Sequence, residues 1–105
     1  MFTEIKKLSS FGNSRPYDVR KAAALYFVSH PICEICGNSN IVSVHHIRPF
    51  SRFPEFATNF DNMISLCDDR NNSSSCHLRF GHNGDWNSIN HNVGSMRKSS
   101  LLPSL

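Results

Sequence analysis

The apolar and polar positions divide the chain into one helix-forming stretch, two short strand-like runs and a last partial helix. Val19 to Ser29 contains the strong helix formers Ala22, Ala23, Ala24 and Leu25, and Asp18 suits the N-cap. Val19, Ala23 and Tyr26 share one face with Ala22, Leu25 and Val28 beside them, so that side is expected to bury. Pro31 stops the helix, because the residue before a proline avoids helical backbone. Ile41-Val42-Ser43-Val44-His45-His46-Ile47 is β-branched and roughly alternating, which predicts a strand; Met63-Ile64-Ser65-Leu66-Cys67 predicts a second. Residues 48–61 read as a loop with Pro49, Pro54 and four phenylalanines, Phe50, Phe53, Phe56 and Phe60, expected to fill the core beneath it. Asp68 to Ser75 is wholly polar and is expected to loop outward. Cys76-His77-Leu78-Arg79-Phe80 begins a helix that Gly81 and Gly84 keep short.

Length and charge narrow the class. A chain of 105 residues with 39% hydrophobic residues is one domain with a modest core, so a covalent or metal staple is no surprise. No apolar run approaches the ~20 residues needed to span a bilayer. The first residues, Met1 to Lys7, lack the apolar stretch of a secretory signal, and the expectation is an intracellular protein. Net charge runs +3 over residues 1–30, −2 over 31–85 and +2 over 86–105. Basic arms on an acidic centre suit a phosphate-tracking protein, and they equally suit an ordinary solvated surface. The organisation expected is a flexible basic arm over 1–17, a domain over 18–93 and a flexible tail over 94–105.

The cysteines add candidate chemistry. Cys33-x2-Cys36 is followed by Gly37, whose backbone freedom lets two thiolates converge on one ion. Cys67 and Cys76 make the second pair, with eight residues between them. Two disulfides would need an oxidising compartment, and a thioredoxin-like redox pair would want a βαβ context. A four-cysteine structural zinc site over Cys33, Cys36, Cys67 and Cys76 is the reading that spacing favours, and it would supply folding free energy.

His45-His46 sits at the end of a predicted strand, where successive side chains face opposite ways. One imidazole can bind a metal while its neighbour takes a proton from water, since imidazole titrates near neutrality. His30 and His91 read as ordinary surface groups.

The string Val44-His45-His46-Ile47-Arg48-Pro49, then Asp61-Asn62-Met63-Ile64-Ser65-Leu66-Cys67, then Cys76-His77, resembles the HNH endonuclease family. Phe53-Pro54-Glu55, Cys76 to His82, and Gly84, Asp85, Trp86, Ser88, Asn90 and Val93 resemble its small phage-type members. The resemblance covers about residues 17–93. It implies an α+β fold: a small ββα-metal (His-Me) finger stapled by the four-cysteine zinc site and preceded by the N-terminal helix. It implies His46 as the general base, His45 and His77 as ligands of a catalytic divalent metal, and Asn62 holding the loop and base in register. His82 lies five residues after His77, where a helical ligand pair prefers four, so it joins the site if Gly81 ends the helix and turns the chain back. Arg48 is a candidate phosphate contact.

The implied activity is metal-dependent hydrolysis of DNA phosphodiester bonds, by nicking or double-strand cleavage. The cofactors are structural Zn²⁺ and a catalytic Mg²⁺, Mn²⁺ or transition metal. DNA is the implied partner, with other phage proteins alongside it and no membrane; a phage-encoded chain would work in the cytoplasm of a bacterial host. Two other readings stay open: a zinc-stapled nucleic-acid-binding or docking module, such as a packaging accessory, and a purely structural zinc protein.

Overall fold

The computed structural model describes residues 16–69 and 74–98. Helix α1 spans Tyr17–Ser29, and strands β1 (Val42–His46) and β2 (Met63–Cys67) pair antiparallel. The helix starts two residues before Val19. The amides of Val19 and Arg20 both donate to the Pro16 carbonyl at 3.1 Å, making Pro16 the cap. Asp18 lies in the first turn instead, where a carboxylate meets the positive end of the helix dipole. β1 is one residue shorter at each end than its β-branched run; β2 has the bounds its apolar run predicts.

Register decides what each face of the sheet meets. Val42–Cys67, Val44–Ser65 and His46–Met63 are opposite pairs, alternating with Ser43–Leu66 and His45–Ile64, which project to the other side. α1 packs Ala22 and Tyr26 on Met63 and Val44. Ile64 and Leu66 join Cys33, Cys67, Cys76 and Val93, with Phe80 and Ile47 beside them. With cover on both faces, every residue of β2 is buried.

Several expectations need correcting. Leu25 and Val28 turn away from the body, 51% and 75% exposed, because the helix contact runs through Val19, Ala22 and Tyr26. None of the four loop phenylalanines is buried, and Phe60 is 45% exposed. A sheet of five-residue strands is already covered by α1 and the C-terminal segment, so the loop wraps its rim. Small Ala57, between the 3-10 turns Pro54–Phe56 and Phe60–Asn62, takes the buried place. Phe53 and Phe56 pack instead on each other, with ring centroids 6.4 Å apart. The polar insert does not simply loop outward: Asp68 and Ser75, at its two ends, are both buried.

The body also continues beyond residue 93. Val93 opens a 3-10 turn to Met96 and is fully buried, and Arg97 reaches back to Glu34 and to the Met63 carbonyl, 2.8 Å from each. Most of the expected arm (1–15) and the end of the expected tail (99–105) lie outside the described residues. Among the described residues, no helix is long and apolar enough to cross a membrane.

Candidate metal centres

The four cysteines converge. Their sulfurs lie within 4.8 Å of one another, no disulfide joins them, and Cys36 Sγ is 3.7 Å from Cys67 Sγ. Gly37 adopts φ +82° and its amide donates to the Cys33 carbonyl at 2.9 Å, closing the tight turn. Each half of the cluster has an amide aimed at sulfur: Cys36 N–H to Cys33 Sγ at 3.4 Å, and Cys76 N–H to Cys67 Sγ at 3.2 Å. Burial pushes the Cys76 and Cys67 thiols up, and the negative charge of neighbouring sulfur adds to it. Cys33 is also buried, yet the amides around it pull its thiol down. Four clustered sulfurs that repel one another as thiolates are the donor set a single divalent ion satisfies.

The imidazoles of His45, His77 and His82 form a second cluster, each offering a donor atom within 4.8 Å of the others. Their ring centroids are 4.9–5.0 Å apart. His45 comes from β1, on the face away from α1. His77 opens a π-helical turn, His77–Gly81, and His82 caps it, in place of the ordinary helix that the pattern predicts. A π turn closes from residue i to i+5, so it brings together residues whose spacing misfits an α-helix. The turn approaches β1 closely: a Cβ on Gly81 would sit 3.1 Å from Leu66 Cδ1 and 3.4 Å from His45 Nε2. Asn83 and Gly84, both with positive φ, then reverse the chain. Trp86 is thereby set beside His77 and His82, with centroids 5.1 and 5.0 Å away. His82 Nδ1 donates to the Ser88 carbonyl at 2.9 Å, which leaves Nε2 with the lone pair.

His46 shares the opposite face of β1 with Val44. Its Nε2 lies 2.9 Å from the Ala57 carbonyl; since a carbonyl only accepts, Nε2 carries the proton and Nδ1 the lone pair. Asn62 is buried and clamps the loop: Oδ1 accepts from Arg48 N at 2.8 Å, while Nδ2 donates to the Arg48 and Phe56 carbonyls at 3.1 and 3.3 Å. Arg48 is exposed, its guanidinium 5.0 Å above the Phe56 ring. It lines a groove of about 430 Å³ with Asn62 and His91.

Residues 33–83, the span holding both clusters, His46 and Asn62, match the family model described as HNH endonuclease. That span is therefore similar to an HNH endonuclease domain. No curated protein and no solved structure matches the chain. The fold around the domain is small α+β, with an N-terminal helix, a two-stranded antiparallel sheet and a four-cysteine cluster, consistent with a ββα-metal fold.

The two sites also draw on groups to which the sequence analysis gave no role. Ala57 and Ser88 act through backbone carbonyls, which no side chain advertises. Trp86 is marked only as a position shared with the family's small members, with no role attached. Asp68 belongs to a polar stretch that predicts an outward loop, yet its carboxylate lies 3.2 Å from His77 Nδ1. Its one sequence signal is position: Cys67-Asp68 and Cys76-His77 each follow a sulfur ligand with a polar group.

Proposed function

We propose that this HNH domain hydrolyses DNA phosphodiester bonds, with zinc in the four-cysteine cluster and a catalytic divalent metal on His45, His77 and His82. The observation that carries the reading is the divided doublet: His45 converges with two other imidazoles, while neighbouring His46 has one nitrogen tied to a carbonyl and the other bearing a lone pair. The donors fit a metal, since three imidazoles converge from two elements, one of them oriented by the Ser88 carbonyl. Imidazole favours Zn²⁺, Co²⁺, Ni²⁺ or Mn²⁺ over the oxygen-seeking Mg²⁺. Bound there, the metal supplies Lewis-acid stabilisation of charge on the scissile phosphate.

The chain's own residues do the rest. His46 Nδ1 takes a proton from water as the water oxygen bonds to phosphorus. The bond to the 3′ oxygen breaks, and that oxygen becomes a hydroxyl with a proton from solvent. Ala57 fixes the His46 tautomer, and Asn62 holds the loop that carries Ala57. Arg48, exposed with its guanidinium over the Phe56 ring, is the phosphate contact in this reading.

Plasmid cleavage with added Mn²⁺, Co²⁺, Ni²⁺, Zn²⁺ or Mg²⁺ tests the reading. His46→Ala is expected to lower the rate by about 10²- to 10⁴-fold, the usual worth of a general base, at unchanged zinc content. Equal cleavage by the two proteins would remove His46 from its role.

A further inference from the structure

Asp68 is unusual for a carboxylate in a small domain: its side chain is only 2% exposed. It is also anchored. Its backbone amide donates to the Ile41 carbonyl at 2.7 Å, and Ser43 Oγ donates to Oδ2 at 3.3 Å. The other oxygen, Oδ1, lies 3.2 Å from His77 Nδ1, at ion-pair distance though off the line of a straight hydrogen bond. The carboxylate is not among the three donors that converge within 4.8 Å.

We infer that Asp68 is a positioning residue: its carboxylate accepts from the Nδ1–H of His77, keeps the proton on that nitrogen and so commits Nε2 to the imidazole cluster. The inference rests on the proposed metal at His45, His77 and His82. A histidine can bind a metal through either ring nitrogen, and the group on the other nitrogen decides which. The Ser88 carbonyl does this for His82 with a neutral acceptor; Asp68 does it for His77 with a charged one. A carboxylate acceptor also makes the imidazole a stronger donor. The placement ties the two clusters together, because Asp68 and His77 each follow a sulfur ligand directly. The cysteine cluster sets both backbones, and Ser43, on β1 two residues before His45, sets the carboxylate.

The test is titration of purified, zinc-bearing full-length protein with Co²⁺, followed by the weak visible bands of nitrogen-ligated cobalt. Wild type, Asp68→Asn, Asp68→Ala and Ser43→Ala are compared at one pH. Asp68→Ala is expected to bind cobalt about 10- to 100-fold more weakly, as loss of an outer-shell partner does. Asp68→Asn keeps an acceptor oxygen and recovers part of the affinity; Ser43→Ala, which leaves the carboxylate in place, loses least. All three retain one zinc per chain, which separates positioning from unfolding. Unchanged cobalt affinity and spectrum in both Asp68 variants would overturn the inference. A wild type that takes up no cobalt beside its zinc would overturn the metal reading beneath it, and the inference with it. Should Asp68→Ala lose zinc, Asp68→Asn and Ser43→Ala decide the matter alone.

Discussion

The sulfur cluster and the imidazole cluster meet at two dipeptides, Cys67-Asp68 and Cys76-His77, yet they differ in the number of donors they offer. The first has four donors, amides aimed at two of its sulfurs, and a glycine-permitted turn that closes it. Four protein ligands complete a tetrahedron, which is the form of a structural site. The second has three donors, one short of that, with Trp86 along its edge. Three protein ligands are the form of a site that must also accept water or substrate. Cys76-His77 carries a member of each cluster, and Cys67-Asp68 carries a sulfur and the carboxylate beside His77, so a closed sulfur site would set the backbone of the other. The dependence should run one way.

The largest effect therefore belongs to the sulfurs. Cys76→Ser removes a buried donor next to His77 and is expected to lose zinc, secondary structure and cobalt binding together. Structural zinc supplies roughly 10 kcal/mol or more of apparent binding energy in small zinc domains, more than a core of this size can replace. Metal analysis and circular dichroism check it. A zinc-free, folded Cys76→Ser protein that still binds cobalt at the histidines would show that the clusters are independent.

A smaller effect is expected where the π turn meets β1. In Gly81→Ala the new methyl meets Leu66 Cδ1 at 3.1 Å and the His45 ring at 3.4 Å. Leu66 can yield by rotating; the His45 ring yields by leaving its place in the cluster. Overpacking of this kind costs about 1–3 kcal/mol. Cobalt affinity at the imidazoles should fall about tenfold, which is 1.4 kcal/mol of that cost, with zinc retained. Equal cobalt affinity in Gly81→Ala and wild type would mean that the close approach is incidental.

The same contrast explains what can be read from the chain. The cysteines are legible because a donor's identity is chemical and the Cys33-x2-Cys36-Gly37 turn is local. β2 is legible because both its faces are covered, so its five residues stay apolar or small. His82 is ambiguous in the sequence because a five-residue spacing fits no α-helical period; only the π turn resolves it, and that turn sets Gly81 against Leu66 and His45. Asp68 is invisible because a polar residue in a polar insert has no pattern to break. The phenylalanines mislead because aromatic size predicts burial, while a two-stranded sheet has no third face to offer.

The last effect, on stability rather than on metal affinity, separates the knuckle from its anchor. Glu34 lies between Cys33 and Cys36, and its carboxylate accepts from Tyr26 Oη at 2.5 Å, Ser65 N at 2.8 Å and Arg97 Nε at 2.8 Å. Burial alone would raise that carboxyl, but the Ser65 amide, Tyr26 and Arg97 outweigh it and hold it below the usual range. Burial and the same contact push the Tyr26 hydroxyl up to about 12, so it remains a donor. A carboxyl lowered on folding adds stability above its unfolded value and loses that stability as pH falls through the folded one. Glu34→Gln keeps the shape and removes the charge. It should cost about 2 kcal/mol at neutral pH, the scale of a charged buried hydrogen bond, and the gap to wild type should close below about pH 4. The difference is read over the pH range in which both proteins keep their zinc, so that its narrowing isolates Glu34. A gap that stays constant from neutral to acid would assign the cost to packing, and the sulfur knuckle would then be held by shape rather than charge.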